Sequence, residues 1–178
     1  MEQYRNAKLL QKWDVCFIVI LNSLFSMKSK TTLLLELWME SHTRLSPLLK
    51  TVTAEDLKKK LGDSPNSVGF LMRHIADVEL LFAKNVFGNT DLKVSARTVI
   101  EKRDTGEWIE LQPLLTYLQY SYETLKATIE NQIDTDWESN VETKEFGTKT
   151  KAEAFGRIVS HTAYHAGQMA ILVKYGTI

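Results

Sequence analysis

The chain has 178 residues, 44% hydrophobic and 25% charged, which suits one globular domain with a sizeable core. Lysine plus arginine number 22 and aspartate plus glutamate number 22, and that balance argues against a general nucleic-acid binder, which carries a basic face. The single cysteine, Cys16, excludes an intramolecular disulfide and a cysteine-built zinc site, fits a reducing cytoplasmic setting, and leaves histidine and carboxylate to hold any metal.

Residues 1–29 differ from the rest. Val15 to Leu21 is a continuous apolar run after Lys8 and Lys12. It is too short for a membrane helix of roughly 20 residues, so no membrane association is expected. Three readings stand: an upstream extension with Met27 as the natural start, a helix packed on the domain, or a weak export signal, against which stand Asp14 and the lack of a small-x-small cleavage site. The domain proper is expected over residues 30–178.

The first clear helix is predicted from Thr32 to Lys50, with Leu35, Trp38, His42, Leu45 and Leu49 as its buried stripe and Pro47 near its end. Thr53 with Asp56 predicts a brief helical turn. Ser64-Pro65 reads as a cap followed by a first-turn proline, opening a helix that stops at Gly88-Asn89. Its stripe is Phe70, Leu71, His74, Val78, Leu81 and Phe82. Thr90 to Glu110 is polar without period and reads as a long connection, with a turn near Thr105-Gly106. Gln112-Pro113 opens a third long helix ending near Asp134, with Leu114, Leu118, Ser121, Tyr122, Leu125 and Ile129 inward. Thr135 to Lys149 is turn-rich; Val141 to Phe146 can be extended, but no pair of strands is expected. Thr150 to Gly176 is the fourth helix, opened by a Thr150–Glu153 capping box and closed by Gly176 as a left-handed cap. Gly167 inside it suggests a closely approaching neighbour. The fold class is therefore all-α: a four-helix bundle with one long crossover.

All four histidines fall on inward stripes. His161 and His165 are one helical turn apart on one face, inside the row Ala154, Ile158, Met169 and Leu172. Two imidazoles in apolar surroundings with neither metal nor polar partner are costly. Alone, an H-x-x-x-H pair is more often two satisfied core histidines than a ligand pair; His74 on an adjacent stripe is the candidate third ligand. Three imidazoles suit zinc, nickel, copper or iron and leave a position open for water or a thiolate. Threonine follows His161, so the glutamate base of the H-E-x-x-H proteases is absent. Around the ligand set, His42 is read as a cleft histidine near the site, Asp77 as a surface carboxylate that can alternatively orient an imidazole, Gln168 as a partner across the bundle, and Tyr164 as packing.

Two segments resemble the DinB-like family. GRIVSHTAYHAGQMAILVKYG is similar to its C-terminal signature, a histidine pair followed by Gly-Gln, and SVGFLMRHIADVELLF is similar to its second helix, whose histidine is the first ligand. The resemblance runs from about Thr31 to Ile178. It implies a four-helix bundle, often a homodimer, with a zinc or nickel ion on His74, His161 and His165. Some family members are S-transferases that use low-molecular-weight thiols; others are isomerases or hydrolases. Two functions follow as expectations. One is a metal-dependent enzyme activating a thiol or water against a small electrophile. The other is a non-catalytic, metal-stabilised dimeric bundle with a stress-response role, which the lack of a clear general base favours. Metal content and a thiol-conjugation screen separate them.

Overall fold

A computed structural model describes residues 28–178; apart from Lys28 and Ser29, the readings made for residues 1–29 lie outside it. Four long helices dominate: α1 (Lys30–Leu49), α2 (Val68–Asn85), α4 (Leu111–Glu130) and α5 (Lys151–Tyr175). A short α3 (Arg97–Glu101) lies within the connection between α2 and α4. A hairpin of β1 (Asn140–Thr143) and β2 (Gly147–Thr150) precedes α5, antiparallel with Asn140 opposite Thr150 and Thr143 opposite Gly147. No described helix is long and apolar enough to cross a membrane.

Most helix starts follow local capping chemistry. Ser29 accepts from the Thr32 amide, and Thr150 and Glu153 form the full reciprocal box. The α2 start differs from expectation. Its cap is Ser67, which accepts from the Phe70 amide, whereas Ser64 and Pro65 belong to the preceding turn. Asp104, from the crossover, accepts from the Ser67 amide and so places that cap by a tertiary contact.

Gly176 is extended (φ −71, ψ 156), not left-handed. A Cβ there would sit 2.5 Å from the Leu172 carbonyl oxygen and 3.0 Å from that of Lys60, where Lys60 and Thr177 pair through their backbones. The residue serves close approach, not a positive φ. Gly167, by contrast, has nothing within 4 Å, so the close neighbour expected there is absent. The tight crossing is at Gly69, where a Cβ would lie 1.8 Å from the Trp108 carbonyl oxygen. Gly69→Ala must push crossover backbone away from α2 and is expected to cost about 2–3 kcal/mol, read as a lower urea midpoint with unchanged slope.

Paired side chains give the helix directions. Asp77–Tyr117, Glu79–Ser121 and Asn89–Thr128 advance together, so α2 and α4 run parallel. His74–His161 and Phe87–Phe155 run in opposite order, so α2 and α5 are antiparallel. Thr31 bonds Gln132 while His42 packs on Tyr122, so α1 opposes α4. The order is up, down, down, up. Parallel neighbours α2 and α4 force the connection between them to return the length of the bundle, which accounts for its size.

Two apolar clusters fill the ends. One holds Leu45, Leu71, Ile75, Leu118 and Met169; the other holds Trp38, Phe82, Leu125, Phe155 and Ile158. Between these levels every long helix carries polar residues: His42, Asp77 and Glu79, Ser121, and His161 with Thr162 and His165. Glu79 is fully buried; its Oε2 accepts from Ser121 at 2.8 Å, and its Oε1 lies 2.8 Å from His42 Nε2 but off the hydrogen-bonding direction. The candidate site residues sit in this layer, where the bundle keeps water-seeking groups between two dry ends.

Candidate metal centre

The third imidazole comes from α2. His74, His161 and His165 each place a ring nitrogen within 4.8 Å of the others'. Ring centroids are 5.0 Å apart for His74–His161, 4.9 Å for His74–His165 and 4.4 Å for His161–His165. The spacing of four on α5 and the antiparallel packing of α2 are sufficient to bring them together.

Two of the rings have their tautomers set by neighbours. Asp77 accepts from the Thr98 hydroxyl (2.8 Å) and amide (3.1 Å). With its proton on Asp77, Thr98 Oγ1 is left to accept from His74 Nδ1, 3.3 Å away. His165 Nδ1 lies 2.6 Å from Gln168 Oε1, and Gln168 Nε2 donates to the Tyr164 hydroxyl at 2.9 Å. Both arrangements put the proton on Nδ1 and leave Nε2 with a lone pair.

His161 is the exception. Its Nε2 is 3.1 Å from His74 Nε2, and its buried Nδ1 has no partner. Either tautomer leaves one His161 nitrogen unsatisfied, and with Nδ1 protonated two lone pairs face each other. A shared cation turns that opposition into attraction. This orphaned, crowded imidazole is the structural observation that a divalent ion fits.

The three rings are also held neutral. Burial pushes His74 down to about 4 and His161 to about 3, with repulsion from His165 adding to both; burial lowers His165 as well. Neutral imidazole is the ligating form. Because these folded values lie below the ordinary histidine value of 6.5, the unfolded chain binds more protons as pH falls through that window. The contribution of these groups to the stability of the metal-free protein is therefore full above about pH 6.5 and is lost as pH falls toward about 4 for His74 and about 3 for His161. Allowing for partial exposure, the loss is on the order of 2–4 kcal/mol. Urea unfolding across that range, with His161→Gln giving a shallower slope, checks it.

Asp77 is completely buried, contrary to the reading of a surface carboxylate: besides Thr98 it accepts from Arg73 Nε (2.8 Å) and the Tyr117 hydroxyl (3.0 Å). Burial and the adjacent carboxylate push Tyr117 up, so it remains a donor. Gln168 bonds within its own helix, to His165 and Tyr164, not across the bundle as expected, because the turn of α5 sets its amide beside those side chains. His42 sits between Trp38 and Tyr122 and faces Glu79; no hydrogen bond or ring contact joins it to the other three histidines. Tyr164 is not packing: it is 63% exposed, stands against His165 and lines the cavity over the site.

Sequence reasoning missed Thr98 and the hairpin. Thr98 lies in a stretch without period and is ordered by Asp77, 21 residues earlier. The hairpin tip is pinned to α5 by Arg157, which pairs with Glu145 at 2.6 Å and lies over the Phe146 ring. The hairpin and the crossover residues Val99 and Lys102 border an open cavity of about 760 Å³ above the histidines, with Val78 and Phe82 from α2 completing its apolar wall.

A family description of the DinB superfamily matches residues 37–169. The crystal structure of a mycothiol-dependent maleylpyruvate isomerase superposes with a TM-score of 0.64 at 17% identity, covering 80% of this chain and 63% of the isomerase. This chain thus spans less than two thirds of that enzyme's length. A conserved protein from Enterococcus faecalis gives a TM-score of 0.62 at 18% identity, covering 83% of this chain and 97% of the other. At these identities the likeness is one of fold. Comparison with curated protein sequences gives no match. With most of the bundle covered by the family description and two similar folds beside it, this chain belongs to the DinB superfamily.

Proposed function

We propose that the chain is a metal-dependent enzyme acting on a small electrophile, with a low-molecular-weight thiol as the leading co-substrate and water as the other. His74, His161 and His165 are the ligand set in this reading. The observation that carries it is His161, whose Nε2 faces that of His74 at 3.1 Å and which keeps at least one unsatisfied nitrogen in either tautomer, beside two neutral, oriented imidazoles. A divalent zinc or nickel ion held there would supply a Lewis-acidic position with room to keep a thiol or water deprotonated at neutral pH.

The chain's own groups do the rest. Thr98 and Gln168 hold His74 and His165 in their ligating tautomers. Val78, Phe82 and Val99 exclude water from one wall, and the Tyr164 hydroxyl stands at the edge beside Gln168. The mycothiol dependence named for the isomerase of similar fold supports the choice of a thiol.

The test is elemental analysis of purified protein together with a thiol-consumption screen using monobromobimane as electrophile. About one divalent ion per chain and metal-dependent turnover with at least one thiol are expected. No bound metal would overturn the reading. Bound metal that raises the melting temperature without any turnover would favour the metal-stabilised bundle instead, a reading helped by the cavity's single carboxylate, Glu145, being tied to Arg157.

A further inference from the structure

The cavity above the histidines has a one-sided charge. Lys102, Lys144 and Arg157 line it against one carboxylate, Glu145. Arg157 is engaged by that carboxylate and by Phe146. Neither Lys102 nor Lys144 forms an ion pair among the described residues.

The two lysines come from unrelated elements. Lys102 ends α3 with φ 55, the one left-handed non-glycine among the described residues, in a conformation that costs a Cβ-bearing residue roughly 1–2 kcal/mol. Lys144 lies in the hairpin loop between β1 and β2. Their separate routes to one opening, in a chain of zero formal net charge, leave a local excess of positive charge beside apolar walls. Such walls focus the field of unpaired cations, and an entering anion is the complement that offsets it. The volume of about 760 Å³ is that of a pocket for a small molecule.

We propose that the substrate carries an anionic group of carboxylate type, held at the cavity mouth by Lys102 and Lys144 while its reactive end reaches the three histidines. This assignment rests on the reading of those histidines as the reaction centre. The thiol or electrophile is then an acid, and an uncharged analogue is disfavoured at the binding step.

Two pairs of probes test it. On metal-free protein, 8-anilinonaphthalene-1-sulfonate is compared by fluorescence with uncharged N-phenyl-1-naphthylamine. On cobalt-loaded protein, 3-mercaptopropionate is compared with 2-mercaptoethanol through the thiolate-to-cobalt absorption band. Wild type is expected to favour the anionic member of each pair by about tenfold, less at high salt. Lys102→Gln combined with Lys144→Gln should remove the preference and leave affinity for the uncharged member unchanged. Lys50→Gln, in the separate groove between α1 and α4, should change neither. Equal affinity for charged and uncharged probes, or a preference that survives the double substitution, overturns the proposal. Failure to bind cobalt strikes the metal reading alone, and the dye pair then decides between an anion-selective cavity and none.

Discussion

His161→Ala is expected to lower zinc affinity by on the order of 100-fold or more while leaving the metal-free protein within about 1 kcal/mol of wild-type stability. The two halves of this result have one cause. In the metal-free protein the His161 ring is a liability: a buried Nδ1 without a partner, and an Nε2 pressed to 3.1 Å from that of His74. Removing it relieves both and leaves no sealed void, because the ring borders the open cavity. In the proposed three-histidine site the same ring is one of three ligands, and the remaining pair would hold an ion far more weakly. Competition titration against a chromogenic chelator reads the affinity, and urea unfolding of the chelated protein reads the stability. A variant that keeps wild-type zinc affinity would remove His161 from the ligand set. One that is strongly destabilised without metal would show the ring to be a packing residue.

Asp77→Ala is expected to behave in the opposite way, with a loss of about 3–5 kcal/mol in the metal-free protein. The carboxylate is fully buried and accepts from Arg73, Tyr117 and both donors of Thr98. Its removal strands a largely buried guanidinium and a backbone amide, and it releases the crossover from α2. For a domain of this size that corresponds to a fall in melting temperature of roughly 10 °C or more. Zinc affinity should also fall by about 10–100-fold, because Thr98 then loses the acceptor that orients it toward His74. Calorimetry and the same chelator competition check both effects. Asp77→Asn should recover part of the stability, since an amide oxygen still accepts from Thr98, and little of the Arg73 pairing. An Asp77→Ala protein within 1 kcal/mol of wild type would mean that the crossover is held by other contacts.

The division between these residues explains what could be seen in the chain beforehand. Helices are written locally: caps act over three residues and stripes repeat every three or four, so α1, α2, α4 and α5 and the Thr150–Glu153 box are visible in the order of residues alone. The histidines were legible for the same reason, since each sits on an inward stripe and spacing aligns His161 with His165. The support around them was not. Asp77 has the neighbours of a surface carboxylate until Thr98, Arg73 and Tyr117 close over it, and Thr98 itself lies in a segment with no period. His42 shares the inward stripe of a ligand, yet the packing of α1 turns it to Glu79. Ser67, not Ser64, caps α2 because Asp104 meets it from the crossover. Lys102 and Lys144 reach one cavity only because a returning crossover and a hairpin end at the same place. Residue order thus specified the helices and which faces turn inward, because those depend on contacts within one or two turns. The charge, orientation and enclosure of the candidate metal centre depend on hydrogen bonds and ion pairs between distant segments, which have no period and exist only once the helices have packed.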